Sequence, residues 1–328
     1  MHLENLLKKV TTKKLISFYN IVEKLKTTMR YDNQEGIADS VADHSFRLGV
    51  MAYLVAEHYN LDIDKTKAVD LALIHDMGEY LHGDVDQRKI REGVVSKDDK
   101  EKLEEEGLNE LKKALPRTMR NYLSNLWEEY NSLSTPESKY IKALDKLESM
   151  LRISNKGYKV FMPSFTGEND GAQAKLINYA DNAVRSYPPL ACLNSIVKNR
   201  IKSEFDKVGF SWPSSCNEFL DSGCSDDLVQ IVSFLDTIEN LKCELRYGKV
   251  KTSMSESVAG HMFKLAVMTF SFAKQYDLKL DVYHALKLAL VHDLGECFEG
   301  DIPAADVHLG EISKEEKFSI EERGFKKL

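Results

Sequence analysis

Apolar and polar positions alternate with a helical period through nearly the whole chain, which predicts an all-α protein. Ser40-Val-Ala-Asp43 reads as a capping box, with a hydroxyl at the N-cap and a carboxylate three positions on. The helix it opens, about 41–59, is apolar on most sides (Phe46, Leu48, Val50, Met51, Leu54, Val55), so it belongs in a domain centre, with His44 in its first turns. Asp64 caps a second helix in which Ala68, Leu71, Ala72 and His75 fall at i, i+3, i+4 and i+7. His75 therefore lies on the core-facing stripe near the helix end, with Gly78 as the expected C-cap. Residues 97–115 form a charged amphipathic helix, and Thr135-Pro136 opens another, proline being suited to the first helical position. Residues 157–225, with Gly157, Pro163, Gly167, Pro188, Pro189 and Pro213, are the least regular part around one helical stretch near 190–207.

The pattern also repeats. SVADHSFRLGVMAYLVAEHYNLDID (40–64) recurs as SVAGHMFKLAVMTFSFAKQYDLKLD (257–281), and AVDLALIHDMGEYLHGDV (68–85) as ALKLALVHDLGECFEGDI (285–302). Both matches share one displacement of 217 positions (261 − 44 and 292 − 75), and Gly107 still meets Gly324 at that shift. Two diverged copies of one domain follow. We place a complete domain at 1–185, a connecting segment at 186–226 and a second domain at 227–328. Of the nine histidines, only His44 with His261 and His75 with His292 obey the displacement.

Length allows two ordinary domains, each with its own core. The formal charge of −7 argues against a general nucleic-acid coat, so no polynucleotide binding is expected. Five scattered cysteines without a CxxC pair fit reduced thiols. The amphipathic N-terminus lacks the apolar core of a signal peptide, and no run approaches a membrane span, so a soluble cytoplasmic protein is expected.

A lone histidine on an apolar face is ordinarily a core residue bonded to backbone. An aspartate beside it adds a second ionisable group whose burial is costly unless it is paired or metal-bound. Here the His-Asp pair occurs twice (His75-Asp76, His292-Asp293), each 31 residues after another histidine in a buried helix. Imidazole and carboxylate together suit a borderline divalent ion such as Mn, Co, Fe or Zn. Glu79 and Asp84 could be read as a solvated loop acid and a turn-forming Gly-Asp, but both recur, as Glu296 and Asp301. Asp145, at the edge of its helix's apolar stripe, would by itself be a solvated acid or a partner of a nearby lysine.

HDMGEYLHGD (75–84) and HDLGECFEGD (292–301), with an upstream histidine and ALDK (143–146) downstream, resemble the HD superfamily. Within it they resemble the HDxxE…GD pattern of the 5′-deoxynucleotidase branch, over about 20–155 and, in part, 228–328. The resemblance implies an HD-domain helical bundle in two tandem copies. It implies one divalent metal (Mn, Co, Fe, Zn or Mg) on His44, His75, Asp76 and Asp145. Glu79 and Asp84 would handle protons or position the attacking water, and Arg30 would contact substrate. The second copy keeps His261, His292, Asp293, Glu296 and Asp301, but the counterpart of Asp145 falls beyond Leu328, so its metal site is incomplete. That copy is a non-catalytic partner, is completed by another chain, or belongs to a chain that continues; the first reading is preferred. Because such enzymes tend to dimerise, either a homo-oligomer or pairing of the two copies within one chain is expected.

The implied activity is removal of phosphate from a nucleotide, most simply a (deoxy)nucleoside 5′-monophosphate. Alternatives are a nucleoside triphosphohydrolase or other HD nucleotide phosphohydrolase, and a non-catalytic nucleotide sensor or scaffold. HD-GYP elements of the cyclic-dinucleotide branch are missing, Glu79 is followed by Tyr80 rather than a second acid, and no Walker-type loop is present.

Overall fold

In the computed structural model, residues 2–33, 35–91, 93–158, 171–247 and 256–328 are described, and helices carry the fold. The first copy comprises α1 (His2–Lys24), α2 (Val41–His58), α3 (Lys65–Ile74), α4 (Glu79–His82), α5 (Gln87–Arg91), α6 (Lys97–Ala114), α7 (Arg117–Ser132) and α8 (Pro136–Lys156). The start signals act as their chemistry requires. Ser40 Oγ accepts the Asp43 amide while Asp43 returns a bond to the Ser40 amide, each at 3.1 Å. Asp64 caps α3 and Thr135-Pro136 opens α8. α2 lies in the centre against α3 and α8, and its Phe46, Leu48, Val50 and Met51 are buried.

Three helices follow, α9 (Gly171–Ile177), α10 (Asp181–Ser186) and α11 (Ala191–Val208). α10 and α11 pack on α8, burying Val184, Leu193, Val197 and Phe205. The segment expected to be irregular is thus largely helical where described. Pro188 and Pro189 begin a short 3-10 turn that leads into α11, and proline at a helix start forfeits no hydrogen bond. Pro163 and Gly167 lie outside the described residues.

The second copy follows as α12 (Asp226–Ile238), α13 (Val258–Tyr276), α14 (Val282–Val291), α15 (Glu296–Glu299), α16 (Ala304–His308) and α17 (Lys314–Lys327). α14, α15 and α16 are the 217-residue images of α3, α4 and α5 at both ends. Among the described residues, strand-like pairing is limited to two bridges, and these match as well: Met29 with Ser40 and Leu245 with Ser257.

Gly78 is not the left-handed C-cap expected of it. Its φ is −64° and it precedes α4, while His75 caps α3. Its requirement is space: a Cβ on Gly78 would collide with the Glu104 carbonyl, and a Cβ on Gly107 with the Gly78 carbonyl. Gly295 and Gly324 repeat this close crossing between α15 and α17. It presses the short helix that bears Glu79 or Glu296 onto its neighbour.

The two copies pair side by side. α13 lies along α2; α1 meets α13 as α12 meets α2, and α3 meets α13 as α14 meets α2. Such exchanged contacts define an isologous, pseudo-two-fold interface. Ion pairs obey it: Lys242 reaches Asp39 Oδ2 at 2.8 Å, and Lys26 pairs with Glu256. Glu239 pairs with Arg47, and Glu23 with Lys264. One hydrophobic core continues through both copies, from Leu15 to Leu294. No described helix is long and apolar enough to cross a membrane.

Candidate metal centre

Three helices deliver the residues singled out in the first copy. His44 comes from the first turn of α2, His75 and Asp76 from the end of α3, and Asp145 from the middle of α8. The structure brings all four together: His75, Asp76 and Asp145 line a cavity of about 560 Å³ together with Arg30, Glu79 and Asp84, and His44 is fully buried behind them. His44 Nε2 lies 3.3 Å from Asp145 Oδ1 and 3.9 Å from Asp76 Oδ2. His75 Nε2 lies 2.9 Å from Asp76 Oδ2 and 3.9 Å from Asp145 Oδ1. The donor atoms of His44, His75 and Asp76 all fall within 4.8 Å of one another.

The other ring nitrogens explain the orientation. His44 Nδ1 donates to Glu148 Oε2 at 2.6 Å, and His75 Nδ1 donates to the Ala72 carbonyl at 2.9 Å. Each bond occupies Nδ1 and turns Nε2 toward the carboxylates. Both Nε2 atoms are buried and lack a hydrogen-bond partner. Two such imidazole nitrogens facing two carboxylates fit a divalent cation. Burial alone would lift the Asp145 carboxyl, but Lys146 and His44 outweigh it and hold it well below the usual range. Burial likewise opposes ionisation of Asp76, and the adjacent His75 overcomes it. Both are held toward the anionic form, the state that binding a divalent cation would require.

Glu79 is different. Burial, then the charges of Asp76 and Asp84, push its carboxyl well above the normal range, and Lys100, 3.5 Å away, only partly offsets them. Its Oε2 is buried without a partner. Asp84, 3.9 Å from Lys100, is also raised by burial. Arg30 is anchored, its Nη2 donating to Ser149 Oγ at 3.1 Å and its Nη1 to Asp39 Oδ1 at 3.4 Å.

Arg30 and Arg246 lie at different spacings from their histidines, yet they are structural counterparts. Their amides donate to Asp39 and Glu256 carbonyls at 2.9 and 2.8 Å, and the tyrosines that follow share φ of 59° and 58°. The displacement changes by one residue between Tyr247 and Glu256.

Sequence reasoning missed Glu148, Arg47, Lys100, Tyr130 and Lys142. Arg47 had a signal, a guanidinium inside an otherwise apolar helix; it donates Nε to Glu148 Oε1 at 2.8 Å. Glu148 stands one turn after Asp145 on α8, a second acid on a buried face. Lys100 carried no signal among the many charges of α6.

The second copy reproduces part of this geometry. The His261 and His292 rings are 5.5 Å apart at 66°, against 5.3 Å and 65° for His44 and His75. His292 Nε2 lies 3.2 Å and His261 Nε2 3.8 Å from Asp293 Oδ2, and His292 Nδ1 donates to the Ala289 carbonyl at 3.1 Å. Burial, with Asp293 and Asp301 nearby, raises Glu296 to about 8. Asp301 Oδ2 accepts the Tyr247 amide at 3.0 Å. Among the described residues no second-copy counterpart of α7 or α8 covers this face. Leu288 is 54% exposed where its counterpart Leu71 is fully buried.

A family model described as HD domain matches residues 22–168 and 238–328, so both copies are covered. The chain is 35% identical over 144 residues to the human 5′-deoxynucleotidase HDDC2, spanning 43% of this chain and 67% of that one. It is 28% identical over 194 residues to the 5′-deoxynucleotidase hdd1 of Schizosaccharomyces pombe, covering 57% of this chain and 90% of that one. A solved structure named as a predicted metal-dependent phosphohydrolase from Magnetospirillum magnetotacticum MS-1 is 21% identical, with a TM-score of 0.47, covering 62% of this chain and 98% of that one. The chain thus spans about two thirds of the length of the human relative.

Proposed function

This chain belongs to the HD domain family, and on that premise we propose that it is a divalent-metal-dependent phosphohydrolase acting on a nucleotide. A (deoxy)nucleoside 5′-monophosphate is the substrate that fits best. The supporting observation is the pair of buried Nε2 atoms of His44 and His75, without a hydrogen-bond partner, facing Asp76 and Asp145. The relatives' names as 5′-deoxynucleotidases agree with it.

A divalent ion on these four residues would lower the pKa of a bound water and polarise a phosphoryl oxygen. The chain's own residues do the rest. Glu79, kept protonated by burial and its acidic neighbours, holds a proton for the leaving alkoxide, and Asp84 orients water beside it. Lys100 balances both carboxyls. Arg30, prepositioned by Ser149 and Asp39, presents a fixed cation to the phosphate. The cavity of about 560 Å³ accepts one nucleotide.

The test is phosphate release from a panel of nucleoside mono- and triphosphates with Mn²⁺ or Co²⁺. Turnover with a monophosphate, abolished in His75→Ala and Asp76→Ala, supports the reading. Equal activity in those variants overturns it, and nucleotide binding without turnover under any metal would identify a sensor instead.

A further inference from the structure

Among the described residues no counterpart of α8 belongs to the second copy, yet that copy reaches into the first copy's centre. Two sets of ion pairs across the interface are exchanged, as Lys242–Asp39 with Lys26–Glu256. One contact of Lys242 has no counterpart at Lys26 among the described residues. Lys242 Nζ also donates to Glu148 Oε1 at 2.9 Å, a third partner beside Asp39 and Glu239 (3.2 Å), whereas among the described residues Lys26 has the two matching partners, Glu256 and Glu23 (3.0 Å).

Glu148 is the residue on which His44 depends. Its Oε1 takes Lys242 Nζ and Arg47 Nε at 2.9 and 2.8 Å, which leaves Oε2 for His44 Nδ1 at 2.6 Å. Arg47 donates Nη2 to the Glu148 carbonyl at 3.0 Å and is itself paired with Glu239 of the second copy. Glu239 also pairs with Arg152 on α8. The Lys242, Arg47 and Glu148 side chains are almost wholly shielded from water, so no solvent can replace a lost partner. A carboxylate with two cations on one oxygen cannot rotate freely, and its other oxygen bonds the imidazole, with Arg30 Nη1 3.8 Å away.

We propose that Lys242, supplied by the second copy, is a positioning residue of the first copy's metal centre, acting through Glu148 to fix the orientation and tautomer of His44. The second half of the chain is then part of the working site without needing a complete site of its own. This rests on the metal-centre reading above. A group beyond the ligands that orients one of them typically changes metal affinity 10–100-fold when removed.

The experiment is Mn²⁺ titration of the full chain by calorimetry, in a His292→Ala background so that only the first copy's set is counted, with thermal unfolding run in parallel. Lys242→Met should weaken Mn²⁺ binding by about tenfold or more, and Lys242→Arg should restore most of it. Lys26→Met removes the symmetry-related ion pair, so it should lower the unfolding temperature yet leave Mn²⁺ affinity within about twofold. If Lys242→Met does not fold, Lys242→Gln carries the comparison. Unchanged Mn²⁺ affinity in the Lys242 variants, or an equal loss in Lys26→Met, overturns the proposal. Mn²⁺ binding that His75→Ala fails to diminish overturns the metal-centre reading itself, which is a separate outcome.

Discussion

Tyr130 donates its hydroxyl to Asp145 Oδ2 at 3.1 Å, which leaves Oδ1 to face His44 Nε2. Lys146, 3.2 Å from Oδ2, holds the same oxygen. The two oxygens of one carboxylate therefore have separate tasks, one bound to the fold and one presented to the centre. Asp145→Asn should lower divalent-metal affinity at least 100-fold, whereas Tyr130→Phe should cost only about 1 kcal/mol, or a few-fold. Equilibrium dialysis of both variants against Mn²⁺ checks this; equal losses would mean that Asp145 is a structural acid.

Lys142 lies in the wall of the cavity with its ammonium 4.5 Å from the Tyr130 ring centre and 3.3 Å from its hydroxyl. Burial, reinforced by Lys146, lowers its pKa to about 8. A cation that binds phosphate is then present below that value and lost as pH rises through it. The KM for nucleotide should climb above pH 8, while Lys142→Met should raise KM about tenfold at pH 7 and flatten the climb. An unaltered pH profile in the variant would remove Lys142 from substrate binding.

Asp70 is buried on α3 and accepts the Tyr122 hydroxyl. Burial raises its carboxyl to about 7 from 3.8. Between those values the folded protein binds more protons than the unfolded chain, so this group's contribution to stability declines as pH increases across that window. Asp70→Asn should flatten the decline, and the gain at pH 8 should be on the order of a few kcal/mol at most. Urea unfolding of both proteins at pH 5, 6, 7 and 8 measures it; parallel slopes would refute the assignment.

Gly107→Ala should cost roughly 1–3 kcal/mol, because the added methyl drives into the Gly78 backbone and the helices must separate. Gly171→Ala, with open space around the site, should change stability by less than about 0.5 kcal/mol. Because α4 carries Glu79, the Gly107 variant should also lose activity disproportionately to its loss of stability. A Gly107 variant as stable and active as the parent would show that α4 tolerates displacement.

Much of this protein was determined by sequence alone, because the signals concerned are local or periodic. A capping box, a proline after threonine and an apolar stripe act within a few residues, so the starts of α2, α3 and α8 were legible. A constant displacement exposed the duplication and separated His44 and His75 from the other histidines. The tertiary structure alone decided what depends on through-space convergence. Glu148 reads as one more acid on a charged helix until α2 sets His44 against it. Lys242 reads as a surface lysine until the pseudo-two-fold pairing buries it between Asp39 and Glu148. Gly78 reads as a helix stop until α6 closes on it. Chain order records none of these meetings. Burial of opposed charges and the close approach of backbones arise only once two distant helices share a face.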